Sequence, residues 1–306
     1  MSEARAHLTQ RAAIASVAMA AMLVGLKTWA SVETDSVAML GSLADTALDL
    51  VASLVTFLGV KWAALPADDD HRFGHGKAEA LAALVQIVLI SVSALLIAWR
   101  ALQQLLSGAR TEGLELGLGV SLFAMAATLA LLAYQRHVIR RTGSVAIETD
   151  HVHYQSDLLL NLSVIAALAL DQLAGFALAD PLFGFAIAGW LLYGAGRAAS
   201  RSVDQLMDRE WPAHEREAFL AAARQFPELA GLHDFRTRHA GTHRFVQFHV
   251  WVPAEWTVRE AHDRMDAVEQ TLRARFPGTE FLIHLDPEGQ VDRETILPHA
   301  ITEQRP

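Results

Sequence analysis

The sequence contains no cysteine. Disulfides, thiolate zinc sites and thiol catalysis are excluded together. Charge is also sparse: 19% of residues are Asp, Glu, Lys or Arg, against 52% hydrophobic. Over the first two thirds this is too apolar for a soluble chain. Positive charge is the scarcer kind, with 25 Lys and Arg against 34 Asp and Glu, a net charge of −9 and no basic run. Nucleic acid is therefore not an expected partner. No HExxH is present either, because His214-Glu215 is followed by Arg216, Glu217 and Ala218. A metal-dependent hydrolase would need a metal with an open position, a water and a general base, and that motif is missing. The remaining strong metal ligands are imidazole and carboxylate, and the chain has fourteen His.

What is present is long apolar sequence. Six segments stand out: Ala12–Ser31, Ser36–Trp62, Ala78–Leu105, Leu114–Tyr134, Val145–Leu173 and Pro181–Ala199. A membrane-spanning helix needs roughly 20 apolar residues. The polar MSEARAHLTQR before the first is followed by no convincing cleavage site, so that segment reads as a membrane helix rather than a signal peptide. The fifth opens on polar ETDHVHYQSD, which is tolerable inside a bundle, and six transmembrane helices are expected. Lys61, Arg72, Lys77, Arg136, Arg140 and Arg141 fall on one side of them. Glu33, Asp35, Glu112, Asp171 and Asp180 fall on the other, with Arg110. The positive-inside rule then places both termini in the cytoplasm.

After Arg201 the composition turns to that of a soluble domain. His214–Phe226 and Thr257–Phe276 read as amphipathic helices. Gly231–His239, His243–Val252 and Thr279–Leu285 read as strands, the first two joined by a turn at Gly241. The order αββαβ suggests a small α+β, ferredoxin-like domain. The expected organisation is a transmembrane domain over residues 1–206, a cytoplasmic domain over 207–292 and a tail over 293–306.

The second apolar segment carries Asp45 and Asp49, and the fifth carries His153 and Asp157. Each ionised Asp at mid-membrane costs about 2.5–3.5 kcal/mol. Each pair is spaced i, i+4 and so lies on one helix face. Like charges that close repel unless a cation or proton sits between them. Two helices each presenting such a pair supply four ligands, the number a tetrahedral zinc site takes. A single polar residue in a membrane helix is more often a packing or hydrogen-bonding device, but two matched pairs are harder to explain that way. Asp150 and His151 are expected at the helix mouth rather than in the site.

GSLADTALDL around Asp45 and Asp49, FGHGKAE at Phe73–Glu79, HYQSD at His153–Asp157 and the α+β tail together resemble the cation diffusion facilitator family. The resemblance covers nearly the whole chain and is closest to bacterial zinc and iron efflux members of the proton-coupled type. It implies a homodimer in the bacterial inner membrane that exchanges divalent metal ions for protons by rocking of helices. Asp45, Asp49, His153 and Asp157 would be the transport site. Manganese-type members generally have no His in that tetrad. Imidazole favours zinc, and by similarity cadmium, over harder ions, with ferrous iron a further candidate.

The resemblance assigns two more sites. Asp68, His71 and His75, in the loop ALPADDDHRFGHGKAE, match the family's loop metal site, although an exposed charged loop is more often merely solvated. His233, His249, His262, His284 and Asp286 match its cytoplasmic binuclear zinc site of four His and a bridging Asp. His284 and Asp286 alternate along one strand and so share a face. Leu285 departs from the pattern, which puts the second ion in doubt. Zn2+ is thus expected both as cargo and as a regulatory ion, with H+ as counter-ion. Lys77 resembles the residue of a charge interlock at the dimer interface, with Asp208 as its partner. Membrane lipid is the remaining partner.

Overall fold

The computed structural model describes residues 2–34, 37–107, 118–176, 178–240 and 243–289. Six long helices occupy the first two thirds: α1 (Ser2–Thr34), α2 (Val37–Ala63), α3 (Ala78–Ser107), α4 (Leu118–Thr142), α5 (Val145–Ala174) and α6 (Ala179–Leu206). Among the described residues, α1 to α4 and α6 each hold a stretch long and apolar enough to cross a membrane. The fifth helix, α5, carries Glu148, Asp150 and Asp157 near its start. Its polar first half is turned into protein: Thr149, Asp150, His153, Tyr154 and Ser156 are all buried.

The helices run past the apolar segments that mark them. The fourth continues beyond Tyr134 through Arg136, Arg140 and Arg141 to Thr142. Hydropathy marks the part that lipid covers, whereas the hydrogen-bond ladder continues until something stops it. Here Gly143 stops it, at φ 69, with its N–H donating to Ile139 O at 2.8 Å. Ser144 then starts α5 by accepting from Ile147 N–H at 3.3 Å, and its hydroxyl donates to buried Glu79 at 2.7 Å. The first turn of α3 is thereby tied to the α4–α5 corner. Small residues bring helices close. Gly59 of α2 lies so near α3 that a Cβ there would stand 2.2 Å from Ala82 Cβ. Ile87, Ile90 and Ala94 of α3 pack with Ile187, Leu191 and Ala195 of α6.

The chain divides into two compact units, one spanning Ala4–Val203 and the other holding Asp204 onward. The second contains α7 (Ala213–Ala223), a 3-10 turn (Pro227–Leu229), β1 (Leu232–Ala240), β2 (His243–Val252), α8 (Val258–Arg275) and β3 (Thr279–Pro287). The sheet order is β1-β2-β3, with β1 antiparallel and β3 parallel to β2. A parallel neighbour needs a crossover, and α8 supplies it, opened by a capping box between Thr257 and Glu260. Phe219 of α7 is the centre of the core, with ring centroids 5.2–6.0 Å from Phe235, Phe248, Phe276 and Phe281. Two boundaries differ from expectation. The first amphipathic helix ends at Ala223, not Phe226, and the third strand runs on to Pro287, after which Glu288 N–H bonds Val252 O at 2.9 Å. The expected turn at Gly241 and the tail after Asp292 lie outside the described residues.

Candidate metal centres

In the helical unit, α2 brings Asp49 and α5 brings His153 and Asp157 to one point. His153 Nε2 faces Asp49 Oδ1 at 3.1 Å and Asp157 Oδ2 at 3.9 Å. One ligand atom from each of the three lies within 4.8 Å of the others. Four ligands about 2.0–2.1 Å from one zinc ion would be separated by about 3.3 Å, so the two closer separations bracket the edge of that tetrahedron. The α2 backbone carries position 45 one turn before Asp49, and the Asp45 side chain lies outside the described residues.

Beside this group lies a polar network that the sequence reading missed. Asp150 is not at a helix mouth: it is fully buried. Its two carboxylate oxygens accept from Gln86 Nε2 of α3 at 2.9 Å and Gln135 Nε2 of α4 at 2.8 Å. Gln86 Oε1 in turn accepts from Thr56 of α2 at 3.0 Å, and Gln135 also donates to Ser16 of α1 at 3.0 Å. Tyr154, next to His153, donates to Ser16 O at 3.0 Å and pairs with Ser53 Oγ at 2.9 Å. Five helices thus meet at the turn of α5 preceding the metal-ligand candidates. Gln86, a lone amide in an otherwise apolar stretch, was the available signal; Gln135, beside Arg136 and His137, gave none.

The loop between α2 and α3 gathers the second group. Asp68 lies 3.1 Å from His71 Nδ1 through one oxygen and 3.3 Å from His75 Nε2 through the other. The His71 backbone N–H donates to Asp68 at 2.6 Å and holds its carboxyl below the usual carboxylate range. His75 is buried against the turn and its Nδ1 faces Pro66 O at 3.2 Å. In the neutral imidazole that contact puts the proton on Nδ1 and directs Nε2 toward Asp68 as the nitrogen a metal would take.

The third group follows from strand register. His233 pairs with His249, and His249 with His284, so three imidazoles form a row across β1, β2 and β3. Asp286, two residues along β3 from His284, reaches all of them. Its Oδ2 lies 3.1 Å from His233 Nε2 and 3.0 Å from His249 Nδ1, and its Oδ1 lies 3.2 Å from His284 Nε2. His233 Nδ1 faces Gly231 O at 2.9 Å, again leaving Nε2 for the carboxylate or a metal. One carboxylate facing three imidazoles through both oxygens is the donor set of a bridged nitrogen–oxygen site, and it fits zinc. His262 is exposed on α8. Lys77 and Asp208 belong to the two separate units. Within its own unit Asp208 pairs with Arg238 at 3.4 Å.

Comparison with known proteins gives the following. Residues 13–207 match the cation efflux transmembrane domain, and residues 211–288 match the cation efflux protein cytoplasmic domain. The chain is similar to the cation-efflux pump FieF of Escherichia fergusonii, at 41% identity over 294 residues, covering 96% of this chain and 98% of that one. FieF of Shigella flexneri is 40% identical over the same span and coverage. A solved structure of CzrB in its Zn form is 38% identical, covering 28% of this chain and 99% of its own, with a TM-score of 0.25.

Proposed function

Because the chain belongs to the cation efflux family, we propose that it is a homodimeric, proton-coupled antiporter exporting zinc from the cytoplasm, with cadmium and ferrous iron as further cargoes. The observation that carries this is the convergence of Asp49, His153 and Asp157 from two helices of the membrane unit. Asp45 completes the tetrad. Its ligands bind metal only with His153 neutral and the three carboxylates ionised, so loading displaces protons. Facing the cytoplasm, zinc wins the ligands; facing outward, protons displace it, and helices rocking around the site alternate the two. His153 is the proton carrier nearest neutral pH in kind.

In this reading α5 crosses the membrane as the sixth span, shielded by its neighbours, with both termini cytoplasmic and the protein in the bacterial inner membrane. Residues 1–206 transport, and residues 207–292 bind zinc and dimerise. His233, His249, His262, His284 and Asp286 hold the cytoplasmic ions, and Asp68, His71 and His75 capture cytoplasmic metal at the loop. Lys77 and Asp208 close the dimer as a charge pair. The test is metal flux into proteoliposomes under an imposed pH gradient. Zinc movement driven by the gradient and lost in Asp49→Ala is expected, with a shift in metal preference in His153→Asp. Wild-type protein that binds zinc but moves none under the gradient refutes the proposal.

A further inference from the structure

We infer that Lys27 is the built-in counter-cation of the membrane site, a residue that sets metal affinity by competing with the cargo for the carboxylates. The inference rests on the reading of Asp49, His153 and Asp157 as the transport site. Lys27 lies inside the apolar span Ala4–Trp29 of α1. An ammonium near a helix end would ordinarily snorkel to the membrane surface. This one turns inward and donates to Thr46 Oγ1 of α2 at 2.6 Å, and Thr46 is buried. Thr46 and Asp49 are three residues apart on one face of α2. The ammonium therefore lodges at Thr46, one turn along the same face of α2 from the metal-ligand candidate Asp49. A permanent charge within an apolar span calls for a partner of opposite sign, and in this inference the converging carboxylates of α2 and α5 supply it.

The chemistry explains why a cation belongs there. Emptied of cargo, the site holds carboxylates that repel one another. A tethered ammonium offsets that repulsion and lowers the affinity for a divalent ion, which favours release. Lysine suits the role because its compact charge sits on a flexible stem and can withdraw when the ion arrives.

The experiment measures zinc affinity at alkaline pH on the full-length protein in nanodiscs. The background lacks Asp68 and Asp286, so that the membrane site is read alone. Lys27→Met is expected to bind zinc at least about tenfold more tightly than its parent, and to turn over more slowly in proteoliposomes. Lys27→Arg is expected to stay within about threefold of the parent, because it keeps the charge. Lys27→Gln, which keeps a donor for Thr46 but no charge, is expected to follow Met. Merely structural damage weakens binding, so the sign of the change is diagnostic. Unchanged or weaker affinity in the Met variant, or a Gln variant that behaves like the parent, overturns the inference. If the parent shows no zinc binding sensitive to Asp49→Ala, the transport-site reading itself has failed, and Lys27 falls with it.

Discussion

The buried Asp150 network makes a quantitative prediction. Replacing Asp150 by Ala removes the acceptor for Gln86 Nε2 and for Gln135 Nε2. Gln135 keeps Ser16 Oγ at 3.0 Å, whereas Gln86 is left pointing its amide at the new methyl. A stranded buried donor costs about 1–3 kcal/mol, and a lost bond to a charged acceptor costs about 1.5–3 kcal/mol. Relief from burying the carboxylate works the other way, so about 2 kcal/mol is the working figure. For a unit of this size that lowers Tm by about 4–8 °C. Asp150→Asn should differ. Its amide faces an amide, but Gln86 can turn over and present Oε1 to it. Thr56 then accepts from the turned Gln86 while still donating to Ala52 O. That rewiring satisfies every group, and the Asn variant should lose less than about 1 kcal/mol. Thermal unfolding of the full-length protein in detergent, followed by tryptophan fluorescence, measures both. An Ala variant as stable as wild type, or an Asn variant as damaged as Ala, would refute the hydrogen-bond reasoning.

Three further predictions follow from the same geometry. Gly59→Val places atoms where Ala82 Cβ already stands, 2.2 Å from a Cβ at position 59, and should cost about 1–3 kcal/mol by overpacking; Ala82→Gly in the same chain should restore part of the Tm, and no recovery would mean that the two helices do not meet there. Asp286→Ala removes the oxygen atoms facing three imidazoles and should weaken cytoplasmic zinc binding by more than about 100-fold, beyond what an outer-shell change costs, while His262→Ala, which removes one proposed ligand and leaves the shared carboxylate, should weaken it less; calorimetric zinc titration of the full-length protein decides, and a smaller loss in the Asp286 variant than in the His262 variant would refute the bridging role. Asp68 is held below its ordinary pKa by the His71 N–H, so its contribution to the loop is fully present above the ordinary Asp range and is lost only as pH falls through the lower, folded value. A carboxyl carbon NMR titration should therefore find Asp68 still ionised where a free Asp is half protonated, and a midpoint at or above the ordinary value would contradict the turn.

The sequence made some of this legible and hid the rest for identifiable reasons. Helical spacing is written into the chain, so the i, i+4 relation of His153 to Asp157 could be read directly, and the two meet at 3.9 Å. Approach between helices is not written there: that Asp49 would stand 3.1 Å from His153 depends on partners 104 residues apart. Asp150 shows the limit most clearly. Its local sequence, ETDHVHYQSD, is as polar as a helix mouth, and hydropathy can assign it nothing else. What makes burial affordable is a pair of amides 64 and 15 residues away, which no local window contains.

The cytoplasmic row teaches the complementary lesson about sheets. Alternation along β3 was enough to put His284 and Asp286 on one face. Lateral register was not available, because a strand slipped by two residues keeps every side chain on its face while changing every neighbour. In the structure, His249 pairs with both His233 and His284, and that register alone turns three scattered imidazoles into one site. The strand had to run past its expected end at Leu285 for this to happen. Residues Asp286 and Pro287 pair with Trp251 and Val252, and that added pairing fixes the backbone from which Asp286 reaches all three rings. A break in β3 at Leu285 would free Asp286 from the row. Register in the last pair of β2 and β3 is therefore as much a determinant of the metal site as the ligands themselves.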